Sequence, residues 1–300
     1  MKDLIIIGAG PAGITAAVYA ARKKLDFTVI TRDIGGQAAW SSDIENYTGY
    51  QYISGPDLAQ KFREHLQKFS FDLQEQEGVS RVEKIDGGFK AITSSKKEFT
   101  ARTVIVACGK RPRLLGVPSE GKFMHKGVTY CATCDGPIFA GKDVAVIGGG
   151  NSALDAVLQM VRIANKVYLI NIGQGLTGDP VMIEKVQHDP KVEILNETKT
   201  VDFFGEQFLK GVRVEVRGTG REIPVEGIFV EIGLVPNSNC IDFVDKNPAG
   251  EIIINGAAET SVPGVFAAGD VTNVPEKQII IAAGEGAKAL LSAFKYLSTH

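Results

Sequence analysis

The stretch "LIIIGAGPAGITAAVYAARKK", residues 4–24, decides the architecture. Its opening leucine and isoleucines suit a strand buried on both faces, a glycine turn follows, and the remainder is an alanine-rich helical segment. "FTVIT" at 27–31 supplies the next strand, so residues 1–31 form one strand–helix–strand unit. Gly8, Gly10 and Gly13 stand as G-x-G-x-x-G directly after the strand and opening the helix. In that context the motif is a dinucleotide-binding fingerprint. The first glycine permits the tight turn, the second lets a pyrophosphate approach the backbone, and the third lets helix and strand pack closely, while the helix N-terminus adds partial positive charge. An acidic residue roughly 20 positions on should hold the ribose. Asp33 stands there, two residues past the strand end read at Thr31.

The same pattern recurs as strand "DVAVIG" (143–148), turn "GGGNS" (148–152), helix "ALDAVLQMVRIA" (153–164) and strand "KVYLI" (166–170). Two such units mean two nucleotide-binding-type domains. Between them, "TVIVACGKRPRLLGVP" (103–118) reads as a buried strand with a Gly- and Pro-rich exit, a crossover. Residues 190–235 are strand-rich, in "VEILN", "TKTVDFF", "VRVEVRG" and "EGIFVEIG". "GVFAAGDVT" (264–272) is a strand followed by Gly-Asp, and "KQIIIAAGEGAKALLSAFKYL" (277–297) is an amphipathic helix suited to packing on the first domain. The class is therefore α/β, with two Rossmann-like, three-layer domains, the second inserted into the first. Residues 1–114 and 242–300 are assigned to one domain and 115–241 to the other, with hinges expected near Arg113 to Val117 and Ile241 to Val244.

Three hundred residues with 44% hydrophobic and 23% charged content fit a soluble globular chain of two domains. A net charge of −2 gives no global reason to expect nucleic acid or an anionic membrane as partner. The apolar run from Leu4 to Ala21 is broken by Gly8, Gly10, Pro11 and Gly13 and lacks a basic leader, so it reads as a buried strand entering a helix rather than an export signal. No other segment approaches the roughly 20 uninterrupted apolar residues of a membrane span. The chain is read as cytoplasmic, and four cysteines are too few for a disulfide scaffold.

Two of those cysteines, Cys131 and Cys134 in "TYCATCDG", stand as Cys-x-x-Cys with Asp135 adjacent. Thiols at that spacing can close a small disulfide ring, and a carboxyl group beside them can move the proton that thiol–disulfide exchange requires. A zinc half-site would need two further ligands. Cys108 and Cys240 stand singly and His65, His125, His188 and His300 form no paired spacing, so no metal is expected. Cys108 reads as a small buried hydrophobe and Cys240 as structural.

In order along the chain, "IIIGAGPAG", "GGQ", "IENYTG", "CATCDG", "VAVIGGGNSA", "PGVFAAGDV" and "KQIIIAAGEGAKA" resemble the low-molecular-weight thioredoxin reductase family and the flavoprotein subunit of alkyl hydroperoxide reductase. The resemblance implies FAD on the first domain, a redox-active disulfide on the second and a homodimer. It implies that Gly8, Gly10 and Gly13 hold the FAD pyrophosphate, that Gln37 and Asn46 lie near the isoalloxazine or ribityl chain, and that Asp270 bonds the ribityl or pyrophosphate side. Gln278, at the start of the last helix, would sit near the flavin's pyrimidine edge. Cys134 would face the flavin, Cys131 would attack the partner disulfide, and Asp135 would serve as acid and base.

The second turn keeps Gly148, Gly150 and Ala153 as G-x-G-x-x-A. NADPH-using members of the family follow it with a basic motif at the end of the next strand. Here "YLINIGQG" (168–175) carries no charge and presents Asn171, Ile172 and Gly173. Arginine bonds to a 2′-phosphate contribute roughly 1.5–3 kcal/mol each, and they are missing. An NADH user needs a carboxylate at that strand end, yet the nearest acid is Asp179. Family branches reduced by ferredoxin or by a deazaflavin dispense with these readers. The expectation is a ferredoxin-dependent enzyme passing electrons through Cys131 and Cys134 to a thioredoxin-like protein. Alternatives are an NAD(P)H-dependent thioredoxin reductase whose contacts come from another loop, and a peroxide-system reductase. The alkyl hydroperoxide reductase flavoprotein carries an extra N-terminal disulfide domain, for which a fingerprint beginning at residue 4 leaves no room, so that reading needs a separate carrier protein. A flavin-binding sensor is disfavoured by the retention of Cys131, Cys134 and Asp135.

Overall fold

The computed structural model describes residues 1–40 and 44–299, the side chains of Trp40, Thr133 and Cys134 excepted. The chain divides into two compact units, Met1–Arg111 with Val235–His300, and Pro112–Leu234.

The first unit begins with β1 (Lys2–Ala9), α1 (Pro11–Arg22) and β2 (Phe27–Ile34). Pro11 occupies the first helical turn, where its missing N–H is not needed, and Lys24 turns the chain out through a left-handed conformation at φ 57°. Ala12, Ala16, Ala17 and Ala20 line the buried face of α1, and such small side chains let helix and sheet approach closely. α2 (Gly55–Leu66), capped by the Ser54 hydroxyl on the Asp57 N–H at 3.2 Å, precedes β3 (Asp72–Gln74), β4 (Val79–Ile85), β5 (Gly88–Thr93) and β6 (Glu98–Val106). β1 lies between β2 and β6 and runs parallel to both, which explains why Ile5 and Ile6 are wholly buried. The β2 ladder continues past Thr31, because an irregularity between Ile7 and Ala9 allows Ala9 to pair with Ile34. Asp33 thus stands within the end of the strand, not beyond it.

After β7 (Lys110–Pro112) the second unit carries α3 (Glu120–Phe123), β8 (Val128–Thr129), α4 (Ala132–Asp135), β9 (Asp143–Ile147), α5 (Asn151–Met160), β10 (Lys166–Ile170), α6 (Pro180–His188) and β11 (Val192–Leu195). Then come β12 (Thr198–Gly205), β13 (Leu209–Val216), β14 (Thr219–Pro224) and β15 (Gly227–Val230). The order β11-β10-β9-β15-β8 makes a parallel sheet, and β12-β13-β14 a separate antiparallel one. Leu154, Val157 and Met160 of α5 cover one face of the parallel sheet, and Val212, Val214 and Ile223 of the antiparallel sheet cover the other. That is a three-layer arrangement. β14, absent from the sequence reading, follows a two-residue turn in which Arg217 (φ 49°) and Gly218 (φ 83°) are both left-handed, the geometry of a tight hairpin.

The chain returns to the first unit after Leu234, within β16 (Leu234–Pro236). Ile241 and Val244, near which a hinge is expected, are buried in the core of the first unit, so the crossing precedes them. β17 (Val265–Ala267) adds to β6 in parallel and completes a seven-stranded sheet, and α7 (Ile279–Thr299) packs on α1. Their approach is so close that a β-carbon on Gly286 would come within 2.0 Å of the Ala12 carbonyl oxygen.

The glycines of the first turn meet different surroundings. A β-carbon on Gly13 would lie 1.9 Å from the Gly8 carbonyl oxygen, whereas one on Gly10 would meet nothing within 4 Å. Gly13→Ala is therefore expected to lower the unfolding free energy by roughly 3 kcal/mol, and Gly10→Ala to change it by less than about 1 kcal/mol. Denaturant unfolding of the two variants beside the parent checks this, and equal losses would contradict it.

Candidate active site

The first cradle is assembled from main chain. Gly8 adopts φ 100° and backs onto the end of β6, where a β-carbon would come within 2.4 Å of the Ala107 carbonyl oxygen. Gly10 caps α1 with no side chain over it, and the first intrahelical bond runs from Ile14 N–H to its carbonyl at 2.9 Å. The N–H groups that precede it in the helix, those of Ala12 and Gly13, have no helical acceptor and can meet an anion. This is the shape that a pyrophosphate requires.

Two further loops border the same place. The Asp33 carboxylate accepts the Gly36 N–H at 3.1 Å, and Gly36 in turn lies against Gly10, its β-carbon position 3.3 Å from the Gly10 α-carbon. Gln37 follows on a 3-10 turn (Gly36–Trp40), with its amide 3.9 Å from the β-carbon position of Gly109. After β17, Gly269 turns at φ 77° against Ala12 of α1 and is followed by Asp270, whose carboxyl is pushed up first by burial. Asn46 and Gln278 meet directly, the Asn46 amide donating to the Gln278 side-chain oxygen at 3.1 Å. Gln278 immediately precedes α7, its carbonyl accepting the Ala282 N–H at 2.9 Å.

Sequence reading missed the charges that hold this end together. Glu285 of α7 is 5% exposed and accepts the Gly269 N–H at 2.7 Å, and burial raises its pKa. Lys110 and Lys277 both approach the same Glu251 oxygen at 3.0 Å, and Asn247 donates to the other oxygen at 2.6 Å. Burial pushes Glu251 up, but these three donors prevail and hold its pKa at about 2. Lys277 also donates to the carbonyls of Thr272 (2.6 Å) and Asp270 (3.4 Å), pinning the Asp270 turn. An acid between two glycines in the otherwise apolar start of α7 was a legible signal for Glu285. Nothing in the sequence linked Lys110, Glu251 and Lys277.

In the second unit Cys131 is disulfide-bonded and immediately precedes α4. The Cys134 side chain lies outside the described residues. The Cys131 N–H donates to the Thr129 hydroxyl oxygen at 3.3 Å, the Thr129 hydroxyl donates to the Asp135 carboxylate, and the Asp135 N–H returns to the Cys131 carbonyl at 3.2 Å. Thr129 is thus the side chain that fixes Asp135. Glu231, at the end of β15, accepts the Ala132 N–H beside Cys131. Burial first, then the neighbouring Asp155 carboxylate, push Glu231 up to about 8. Among the described residues no group of three or more His, Cys, Asp or Glu is placed to hold a metal, and no helix is long and apolar enough to cross a membrane.

The second glycine turn keeps the backbone form of the first. Gly148 turns at φ 146° against the Glu231 carbonyl, and Gly150 caps α5. Its flank differs. Asn171 is 6% exposed, and its amide donates to Asn196 (2.9 Å), to the Gly175 carbonyl (2.9 Å) and to the Gly173 carbonyl (3.3 Å) while its oxygen accepts the Gly173 N–H (3.1 Å). That oxygen occupies the space beside Gly149, 2.4 Å from where a β-carbon would sit. Thr177 N–H bonds the Gly149 carbonyl at 2.7 Å, and Asp179 is engaged as the cap of α6, accepting the Val181 N–H at 2.8 Å. The segment after β10 folds onto its own turn.

Comparison with known proteins agrees with this geometry. The family described as "Pyridine nucleotide-disulphide oxidoreductase" matches residues 2–286. The chain is 42% identical over 301 residues to a subunit of the alkyl hydroperoxide reductase of Pseudomonas putida and 40% identical over 298 residues to a protein named NADH dehydrogenase in Bacillus subtilis, covering 98% of this chain each time. It spans 58% of the length of each of these relatives. Among solved structures, thioredoxin reductase of Lactococcus lactis superposes with a TM-score of 0.91 at 32% identity, covering 100% of both chains. A ferredoxin-flavin thioredoxin reductase of Clostridium acetobutylicum gives 0.55 at 28% identity, over 100% of this chain and 99% of that one. FAD is the cofactor of these thioredoxin reductase-like proteins, and the open side of Gly10, bounded by glycines that tolerate no side chain, fits its pyrophosphate. With that cradle, a disulfide at Cys131 and a match over nearly its whole length, the chain belongs to the pyridine nucleotide-disulphide oxidoreductase family.

Proposed function

We propose that this chain is a cytoplasmic, homodimeric flavin disulfide reductase that takes electrons from ferredoxin and delivers them through Cys131 and Cys134 to a thioredoxin-like protein. FAD, when bound, accepts electrons singly or in pairs and supplies a pair to the disulfide. Gly8, Gly10, Gly13 and the N-terminus of α1 bind its pyrophosphate, Asp33 the ribose and Asp270 the ribityl side. Gln37, with the hydrogen-bonded Asn46 and Gln278, lines the ring. Once reduced, Cys131 attacks the acceptor disulfide, forming a bond to one acceptor sulfur and expelling the other as thiolate. Cys134 then attacks the Cys131 sulfur and releases the reduced acceptor. Asp135, oriented by Thr129, returns a proton to the leaving thiolate.

The single observation that carries the donor assignment is the state of Asn171. At the strand end where a coenzyme reader belongs stands a neutral amide whose donors are already bonded to Asn196 and to the main chain of its own loop. Asp179, the next acid along the sequence, caps a helix instead. A nicotinamide donor is the second reading, and the name of the Bacillus subtilis relative favours it.

An anaerobic donor screen separates the two. Reduced ferredoxin is expected to bleach the flavin absorbance while micromolar NADH or NADPH leaves it oxidised, and rapid bleaching by either nicotinamide would overturn the ferredoxin donor. Asp135→Asn is expected to slow reduction of a small protein disulfide roughly 100-fold with flavin reduction unchanged, as stopped-flow absorbance would show.

Glu231 allows a further check that needs no donor. Its folded pKa of about 8 lies above the ordinary carboxylate value, so the folded state holds a proton that the unfolded chain releases. The stability this proton contributes is fully present below the unfolded pKa and is lost as pH rises through about 8. Glu231→Gln is expected to flatten that decline and to be more stable than the parent at pH 9 by roughly 1–3 kcal/mol. Urea unfolding at pH 6 and pH 9 tests it, and parallel slopes for both proteins would refute it.

A further inference from the structure

The two cysteines outside the Cys131 motif, distant in sequence, meet in the first unit. Cys108 follows the buried end of β6, and Cys240 ends a short 3-10 turn, Ser238–Cys240. Both thiols are free. Both reach one main-chain oxygen, that of Asn237, Cys108 Sγ at 3.0 Å and Cys240 Sγ at 3.8 Å. Asn237 locks the arrangement from the opposite side, its amide donating to the Cys108 carbonyl and its N–H to the Gly109 carbonyl, both at 2.9 Å. Two thiols that share one acceptor oxygen are neighbours, and rotation of their side chains away from it can bring the sulfurs to the roughly 2.05 Å of a disulfide.

We propose that Cys108 and Cys240 are a second redox-active pair, which closes to a disulfide within the first unit when a hydroperoxide reaches it. The site is independent of the reading given to Cys131 and Cys134. Cys240 is the attacking sulfur. The neighbouring Cys108 thiol lowers its pKa and the charge of Lys246 assists, against the effect of burial. Lys246 is held there by its bond to the Ser238 carbonyl at 2.8 Å. Cys108 keeps its proton, which it donates to the Asn237 carbonyl, because the neighbouring Cys240 and its burial both raise its pKa. In the first step the Cys240 sulfur attacks the outer peroxide oxygen. An S–O bond forms, the O–O bond breaks, and an alcohol, or water from hydrogen peroxide, leaves with the thiol proton. In the second the Cys108 sulfur attacks the sulfenic sulfur. The S–S bond forms, the S–O bond breaks, and water leaves with the Cys108 proton. Two thiols and one hydroperoxide thus give one disulfide, one alcohol and one water, the peroxide taking both electrons.

The pair stands behind the glycine cradle. The Cys108 α-carbon lies 3.0 Å from the β-carbon position of Gly8. Closure therefore ties the strand that backs the first glycine to the segment that follows the return from the second unit.

Peptide mapping of the full flavoprotein tests the proposal. The reduced protein, freed of reductant, is exposed to hydrogen peroxide, denatured in an alkylating agent and digested. The expected product is a cross-linked peptide pair containing Cys108 and Cys240, two hydrogens lighter than the separate peptides, with alkylation lost at both positions and restored by dithiothreitol. Cys240→Ser should remove the cross-link. Full alkylation of both residues after peroxide, a sulfinic acid on either without a cross-link, or a bond from either to Cys131 or Cys134 would overturn it. The parent protein alone decides the question, so a variant that fails to fold does not blunt the test.

Discussion

The Gly8 carbonyl oxygen stands where a β-carbon on Gly13 would intrude to 1.9 Å, so β1 and α1 are held at main-chain contact. Two more contacts of the same kind converge there. Gly8 lies on the Ala107 carbonyl at the end of β6, and Gly286 of α7 lies on the Ala12 carbonyl of α1. Backbone laid on backbone leaves no rotamers to choose, so the relative positions of two strands and two helices are set within a few tenths of an ångström. At such an end the exposed chemistry consists of peptide dipoles and helix N–H groups, suited to an anion. The same packing that excludes a side chain at Gly13 leaves the side of Gly10 empty, and stability and ligand access are thereby assigned to different glycines.

A backbone nucleus of this kind collects charge, and the protein answers it with short bonds. A carboxylate taken from water without partners costs several kcal/mol. Glu285 meets the Gly269 N–H, and Glu251 meets two lysines and an amide, which keeps it ionised despite burial. Lys277 links that cluster to the carbonyls of the Asp270 turn. The segment before α7 is therefore fixed by its own main chain and by a carboxylate far away in sequence.

What the sequence disclosed and what it concealed divide along physical lines. Continuous apolar runs, glycine turns and the alanine-rich helix are local signals, so the two strand–turn–helix units and the inserted topology were legible. The end of β2 was not, because whether a strand continues past Thr31 depends on where its neighbour β1 becomes irregular, a tertiary matter. β14 was hidden for a similar reason. "TGREIP" has little apolar period of its own and is a strand because the Arg217–Gly218 turn returns it to β13, although the Arg-Gly dipeptide was a usable hint. Thr129 and Glu231 were missed because the first acts through Asp135 and the second is brought to Ala132 only by the order of strands in the parallel sheet. Cys108 and Cys240 were each read as solitary. Their meeting depends on Asn237, and no spacing rule connects residues so far apart.

The two glycine turns make the strongest argument about function because they begin from nearly the same sequence. Each follows a buried parallel strand, each opens a helix at its middle glycine, and each lays its first glycine on a neighbouring carbonyl. A turn of this form supplies only a generic attraction for a phosphate, and selectivity for a coenzyme must come from the end of the next strand. At β2 that end carries Asp33, exposed and bonded to one N–H, with acceptor capacity to spare. At β10 it carries Asn171, buried and with its amide committed to its own loop. Freeing that amide would break its bonds to the Gly175 carbonyl and to Asn196, at a cost of about 0.5–1.5 kcal/mol for each. A dinucleotide held there would have to offset that loss without forming an ionic bond to either Asn171 or Asp179. At Asn171 and Asp179 the second turn therefore offers a coenzyme no ionic reader, because the amide of the first is bonded within its own loop and the carboxylate of the second caps a helix.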